Sequence, residues 1–219
     1  MGAQLLEKNG FPIKNFGNDS HKKDFLRSCQ YYLFLFSGYS VNSLKAPTFS
    51  CGEMHPGSGL AGLKKDELLV GVISDTHGLI RPEALKALEG VSLIIHAGDV
   101  GTQSVLHKLE NIAPVVAVRG NTDRDGWACK LPFTEAVEIG GVSLYVLHDL
   151  DKLDLDPAAS GFSAVITGHT HQPAIEKSGK LLFLNPGSAG PKCHDLPVSV
   201  ALLRIKNNSL KAELLTLAV

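Results

Sequence analysis

The chain is predicted to be an α/β protein of two packed, mixed β-sheets flanked by helices. Three observations predict this class. Between Leu68 and Val118, short unbroken apolar runs alternate with helical periods, the pattern of parallel strands joined by right-handed crossovers. Beyond Ala136, apolar segments flank Gly140-Gly141, Ser178-Gly179 and Asn207-Asn208, the turn chemistry of antiparallel hairpins. The length of 219 residues is enough for one sizeable hydrophobic core.

Taken in order, residues 68–73 (LLVGVI) form a continuous apolar run, as expected of a strand buried on both faces. Residues 82–88 open on a proline and carry apolar residues at helical spacing, which predicts a helix with proline in its first turn. A second buried strand is predicted over 91–96, a second helix over 103–109 and a third strand over 114–118. Thereafter the pattern turns antiparallel. Strands are predicted over 136–139 and 142–147, over 164–167, over 174–177 and 180–184, and over 198–205 and 211–217.

The composition shifts near Lys64. Residues 1–66 hold eight Lys and Arg against five Asp and Glu, are rich in Asn, Ser, Gly and Pro, and show no sustained period. We expect an irregular N-terminal extension there, without assigned function, ahead of an ordered domain over 67–219. A transit sequence, or a leader ahead of a natural start at Met54, are competing readings of that stretch.

Bulk properties exclude several function classes. The net charge of −1, without a basic stripe or aromatic platform, gives no signal for nucleic-acid binding. No apolar run reaches the roughly 20 residues needed to span a bilayer. Cys29, Cys51, Cys129 and Cys193 lack C-x-x-C spacing, which speaks against a cysteine metal site or a disulfide framework. A reducing, cytoplasmic setting is the expectation, and a homo-oligomer is left open.

The chemistry gathers just past the C-terminal ends of the predicted strands, where open α/β sheets place their ligands. The first strand is followed by Ser74-Asp75-Thr76-His77, the second by Gly98-Asp99 and the third by Gly120-Asn121-Thr122-Asp123. His148 follows the strand over 142–147, and Gly168-His169-Thr170-His171 follows the strand over 164–167. Asp75 and His77, two apart in extended chain, would point the same way and grip one ion. Each motif alone is weak, because Gly-Asp and Gly-Asn are ordinary turns and a lone histidine is more often a satisfied core residue. Five successive strand ends supplying Asp, Asn or His together make coincidence a poor account.

In this order, the motifs resemble the calcineurin-like metallophosphoesterase superfamily. Asn185-Pro186-Gly187-Ser188 and Leu196-Pro197-Val198-Ser199-Val200 further resemble its YfcE-type phosphodiesterase branch. The resemblance runs from about Leu69 to about Ile205. It implies a four-layer sandwich and a phosphoesterase that takes a small phosphoester substrate, a diester ahead of a monoester. It also implies two divalent ions. Asp75, His77, Asp99 and His171 would hold the first; Asp99, Asn121, His148 and His169 would hold the second, with Asp99 bridging. Asp99, Asn121 and His169 are also the candidate catalytic residues. Two such ions, two carboxylates and a bridging hydroxide would leave a charge of about +1 to polarise a phosphoryl oxygen. Manganese is the expected metal, while mixed N/O ligation equally admits Fe, Zn, Ni or Mg.

Two departures matter. Many members of the superfamily carry His where this chain has Thr122, so general-acid catalysis would fall to Asp123 or water. His148 is followed by Asp149-Leu150 where the family often reads Gly-His. Arg119, Arg124 and Lys192 are candidate phosphate contacts, against their reading as solvated surface cations. His96 is expected to pack in the core, and Asn185 to Ser188 to orient the metal shell through hydrogen bonds. The alternative function is a protein-interaction scaffold of the retromer-subunit type on the same fold. That lineage has lost ligands such as the bridging Asp, and this chain retains the full set.

Overall fold

The computed structural model describes residues 67–219. The expected N-terminal extension, with Cys29, Cys51 and Met54, lies outside the described residues. The order is β1 (Leu68–Ile73), α1 (Pro82–Ala87), β2 (Leu93–His96), α2 (Gln103–Glu110), β3 (Val115–Ala117), β4 (Thr134–Ile139), β5 (Val142–Leu147), β6 (Ala164–Ile166), β7 (Ala174–Ser178), β8 (Leu181–Asn185), β9 (Ser199–Lys206) and β10 (Ser209–Thr216). Short 3-10 turns at Ala128–Lys130 and Leu150–Lys152 complete the elements.

Two five-stranded sheets result, in the orders β10-β9-β1-β2-β3 and β4-β5-β6-β8-β7. Both are mixed. In the first, β1, β2 and β3 run parallel and the β9-β10 hairpin returns antiparallel beside β1. In the second, β5, β6 and β8 are parallel, and β4 and β7 close the edges antiparallel.

Strand alternation sorts the apolar residues into three layers. Val70 and Val72 of β1, Leu93 and Ile95 of β2, and Leu203 and Ile205 of β9 face Leu144, Val146, Ile166, Leu182 and Leu184 of the other sheet. The intervening residues Ile73, Ile94 and Leu202 pack under Ala84, Leu88, Val105 and Leu109, which ties the helices to the outer face of the first sheet. Full burial of each such side chain contributes about 1.5–3 kcal/mol. Gly71 lets α1 come close, since a Cβ there would lie 2.5 Å from Leu88 Cδ2.

The outer face of the second sheet is covered differently. Tyr145, Leu147, Val165 and Leu181 pack against Phe162, Leu150, Leu153 and Leu155, all from the β5–β6 connection. That connection reads DLDKLDLDP from Asp149. Its near-alternating Asp and Leu and its Pro157 fit a single 3-10 turn better than an α-helix. Among the described residues, no helix is long and apolar enough to cross a membrane.

Candidate metal centre

The three parallel strands of the first sheet, and β5 and β6 of the second, end toward a common crevice between the sheets. Asp75, Asp99 and His148 form its buried floor, while His77, His171, Asn121 and His169 form a more exposed rim. Hydrogen bonds cross between the sheets here. Ser74 Oγ donates to Gly187 O over 2.7 Å, and Ala189 N to Ser74 O over 3.1 Å. His169 N donates to Asp75 Oδ2 over 3.1 Å, and His148 Nδ1 reaches Ala97 O at 2.7 Å.

The predicted residues meet through their donor atoms. Nε2 of His171 lies 3.3 Å from Asp75 Oδ1 and 3.3 Å from His77 Nε2. Asp99 Oδ2 lies 3.9 Å from His77 Nε2 and 3.4 Å from His148 Nε2. Asn121 Oδ1 lies 3.0 Å from both His148 Nε2 and His169 Nδ1. Donor atoms of Asp75, His77 and His171 lie within 4.8 Å of one another, as do those of Asp75, Asp99 and His148. These two trios share Asp75, whereas one oxygen of Asp99 reaches a histidine from each.

Backbone strain accompanies this convergence. Asp75, His77, Asp99, His169 and His171 have φ of 54°, 45°, 53°, 72° and 59°, the left-handed region that L-residues seldom adopt. Asp75 and His77 therefore converge by a left-handed turn, and not by the extended-strand alternation expected from their spacing. His169 and His171 share that left-handed backbone but reach different neighbours, His169 meeting Asn121 and His171 meeting Asp75 and His77. Close approach explains the motif glycines. A Cβ on Gly98 would lie 2.6 Å from His148 Nδ1, and one on Gly120 would overlap the Asp99 carboxylate.

The donor set suits cations. Ala97 O can only accept, so His148 Nδ1 carries the proton of a neutral ring, and its Nε2 lone pair faces the oxygens of Asp99 and Asn121. At the other side two imidazole nitrogens face each other beside a carboxylate. Acceptors directed at acceptors need a proton or a metal ion between them. Burial works to lower the pKa of His148, yet the hydrogen bond its protonated ring donates to Asp99 and the charges of Asp75 and Asp99 outweigh it and hold the imidazole above its ordinary value. Burial likewise works to raise Asp99, but the bonds from His148 and the Thr122 N–H hold it well below the usual carboxylate range. Asp75 is raised, chiefly by burial.

Residues around the centre fix its parts. Asn185 Nδ2 donates to Gly168 O (2.7 Å) and Thr170 Oγ1 (3.0 Å), and Ser188 Oγ to Asp75 O (3.0 Å), so both hold the backbone beside candidate ligands. His96 is fully buried on the helix-facing side of β2. Thr76 Oγ1 gives its proton to Val100 O (2.9 Å), so it accepts from His96 Nε2 (2.9 Å) and His96 Nδ1 keeps the lone pair. Burial pushes the pKa of His96 down to about 4. Asp123, a candidate proton donor, is instead buried, with both carboxylate oxygens taken by backbone N–H groups. Two of its three partners, Val100 and Gly101, lie 23 and 22 residues away in sequence, which hides them from local motif reading. Arg119 Nε is bound to Asp123 O (2.8 Å) and its guanidinium stacks on the exposed Phe133. Arg124 Nε donates to Asn121 O (3.3 Å) on the rim, and Lys192 is exposed in the loop after Ser188.

Comparison with known proteins agrees with this geometry. A family model described as the calcineurin-like phosphoesterase superfamily domain matches residues 68–208. A probable metallophosphoesterase of Methanothermobacter thermautotrophicus is 38% identical over 161 residues, covering 68% of this chain and 92% of the relative. The phosphodiesterase YfcE of Escherichia coli K12 is 29% identical over 154 residues, covering 59% of this chain and 84% of its own. Among solved structures, Vps29 of Entamoeba histolytica complexed with zinc superimposes with a TM-score of 0.55 at 25% identity, covering 68% of this chain and 99% of that one.

Proposed function

The chain belongs to the calcineurin-like phosphoesterase superfamily, and from that premise we propose that it hydrolyses phosphoester bonds with two divalent cations, preferring diesters to monoesters. Asp75, His77, Asp99 and His171 would hold the first cation, and Asp99, Asn121, His148 and His169 the second. Manganese is the metal of first choice for assay, since mixed N/O ligation admits Mn, Fe, Zn, Ni and Mg alike. The observation that carries the reading is the set of facing acceptors, above all His148 Nε2 directed at Asp99 Oδ2 and Asn121 Oδ1.

When bound, two divalent ions would supply a water of lowered pKa and the positive charge that a phosphoryl oxygen needs. The chain's own residues prepare the place. Asp99 Oδ1 is held by the Thr122 N–H at 2.9 Å, which leaves Oδ2 free to lie between the two groups of histidines. The Ala97 carbonyl holds His148 in the tautomer that presents Nε2. Neutral imidazoles bind without cancelling cationic charge. The exposed rim of Asn121 and His169 would receive the substrate, with Arg124 and Lys192 as the proposed phosphate contacts.

Directly after Asn121, Thr122 has no titratable side chain, and the carboxylate of Asp123 is engaged with backbone N–H groups. A leaving group would therefore take its proton from water, which favours esters of acidic alcohols such as phenols. The likeness to YfcE, named a phosphodiesterase, supports the diester preference.

The test is hydrolysis of an aryl phosphodiester and the matching monoester with Mn2+, comparing the wild type with Asp99→Ala. Diester turnover should lead in the wild type. Its loss in the variant should exceed the roughly 10–100-fold that an outer partner of a metal ligand costs. Unchanged turnover would favour the second reading, an interaction scaffold of the retromer-subunit type, which the likeness to Vps29 supports.

A further inference from the structure

The turns that carry Asp99 and Asn121 follow adjacent parallel strands, β2 and β3. Their backbone ladder runs out just before the site, its last rung being Val118 N to His96 O at 3.1 Å. Beyond that rung, two aspartates clasp the turns reciprocally. Asp99 Oδ1 takes the Thr122 N–H from the facing turn at 2.9 Å. Asp123 Oδ1 takes the Gly101 N–H at 2.8 Å, and its Oδ2 takes the Val100 N–H at 3.1 Å and that of Gly120 at 3.0 Å. One buried carboxylate thus binds the residues that follow Asp99 and the residue that precedes Asn121.

We infer that Asp123 is a positioning residue of the metal centre, setting the spacing between Asp99 and Asn121 through the backbone of both turns. The inference deepens the proposed function and rests on it. Three features support it. Both oxygens of Asp123 are occupied by backbone donors, so its action passes through other residues. Asp99 sits at φ 53°, a conformation that persists only where the surroundings over-determine it. Arg119 Nε, bonded to the Asp123 carbonyl, anchors the same turn through its backbone. Misplacement by about 1 Å is enough to cost a site roughly 100-fold in rate.

Asp123→Asn keeps the volume but turns an NH2 group toward N–H donors, and Asp123→Glu keeps the charge but lengthens the arm by one methylene. Mn2+ titration calorimetry of chelator-treated wild type and both variants, with the melting temperature of each metal-free form, tests the inference. The wild type should take up two equivalents. Both variants should bind at least one of them 10-fold or more weakly, within the roughly 10–100-fold range for outer-shell partners. Wild-type affinity in Asp123→Asn, with only a lowered melting temperature, would overturn the inference and leave a purely structural role. Wild-type affinity in Asp123→Glu alone would overturn it in favour of charge over position; should Asp123→Asn fail to fold, the Glu variant carries the test by itself. A wild type that takes up no Mn2+ would overturn the metal reading itself, and the inference with it.

Discussion

His148, at the end of β5, donates through Nδ1 to the carbonyl of Ala97, at the end of β2, over 2.7 Å. This bond joins the others that tie the two sheets together at the site, and it decides which ring nitrogen faces Asp99. Structural support and ligand orientation are the same interaction.

The tautomer so fixed makes metal uptake a proton-coupled event. In the metal-free protein the pKa of His148 lies above its ordinary 6.5, because Asp99 and Asp75 outweigh the effect of burial. A raised folded value stabilises the metal-free fold fully below pH 6.5 and loses that contribution as pH rises through the folded pKa. Metal must displace this proton, so affinity should weaken as pH falls through that value, approaching about 10-fold per unit for one proton. Calorimetry in two buffers of different ionisation enthalpy should register proton release. Equal heats in both buffers and a pH-independent affinity would contradict the assignment.

His96 has the opposite sign. Burial lowers its pKa from 6.5 to about 4. Between those values the unfolded chain binds a proton that the folded chain refuses, so stability falls as pH drops. The loss from this group amounts to roughly 3 kcal/mol across the window. His96→Gln retains a donor toward Thr76 but does not titrate. Urea unfolding of metal-free protein at pH 7 and pH 4.5 should show a smaller loss in the variant than in the wild type. Equal losses would mean that His96 does not govern the acid side.

Gly120 and Gly126 should respond very differently to alanine. A Cβ at Gly120 would overlap the Asp99 carboxylate and backbone, whereas at Gly126 it meets nothing within 4 Å. Gly120→Ala should cost about 1–3 kcal/mol by overpacking and abolish Mn2+ uptake. Gly126→Ala should stay within about 0.5 kcal/mol of wild type, with uptake intact. Thermal melts and metal analysis of the two purified variants decide the matter; equivalent behaviour would show the crevice tolerating what the geometry forbids.

Asn185 should matter to both histidines of the segment it holds. It is buried, donates to Gly168 O and Thr170 Oγ1, and accepts from the Gly187 N–H at 2.9 Å. Asn185→Ala removes one of two bonds at Gly168 O and at Thr170 Oγ1 and leaves the Gly187 N–H without this acceptor, at a cost of about 1–3 kcal/mol. Mn2+ affinity should fall at least roughly 10-fold as His169 and His171 loosen. A destabilised variant that binds Mn2+ as tightly as wild type would limit Asn185 to a structural part.

Much of this was legible in the sequence. The runs over Leu68–Ile73 and Val142–Leu147 match their strands end to end, because strands buried on both faces leave an unbroken apolar signature. The meeting of seven side chains in one crevice could be anticipated because each follows an apolar strand run. What escaped depends on distant partners. Sheet order, with β9 returning beside β1 and β7 placed outside β8, is set by pairings far apart in the chain. Asp123 reads locally as a turn residue, and only the fold brings Val100 and Gly101 to it. The left-handed backbone at Asp75 and His77 was missed because D-x-H spacing is equally compatible with extended chain. Covering of the second sheet by Leu150, Leu153 and Leu155 replaced a helix that Pro157 and a string of aspartates disfavour.

The central claim is that Asp99 lies between two cations held by the seven side chains of the crevice. Anomalous diffraction from crystals grown with Mn2+ tests it most directly. Two peaks roughly 3.5–4 Å apart, one beside His77 and His171 and the other beside Asn121, His148 and His169, are the predicted result. A map with no peak among these residues, or a single peak that leaves Asn121 and His169 without a metal, would contradict it.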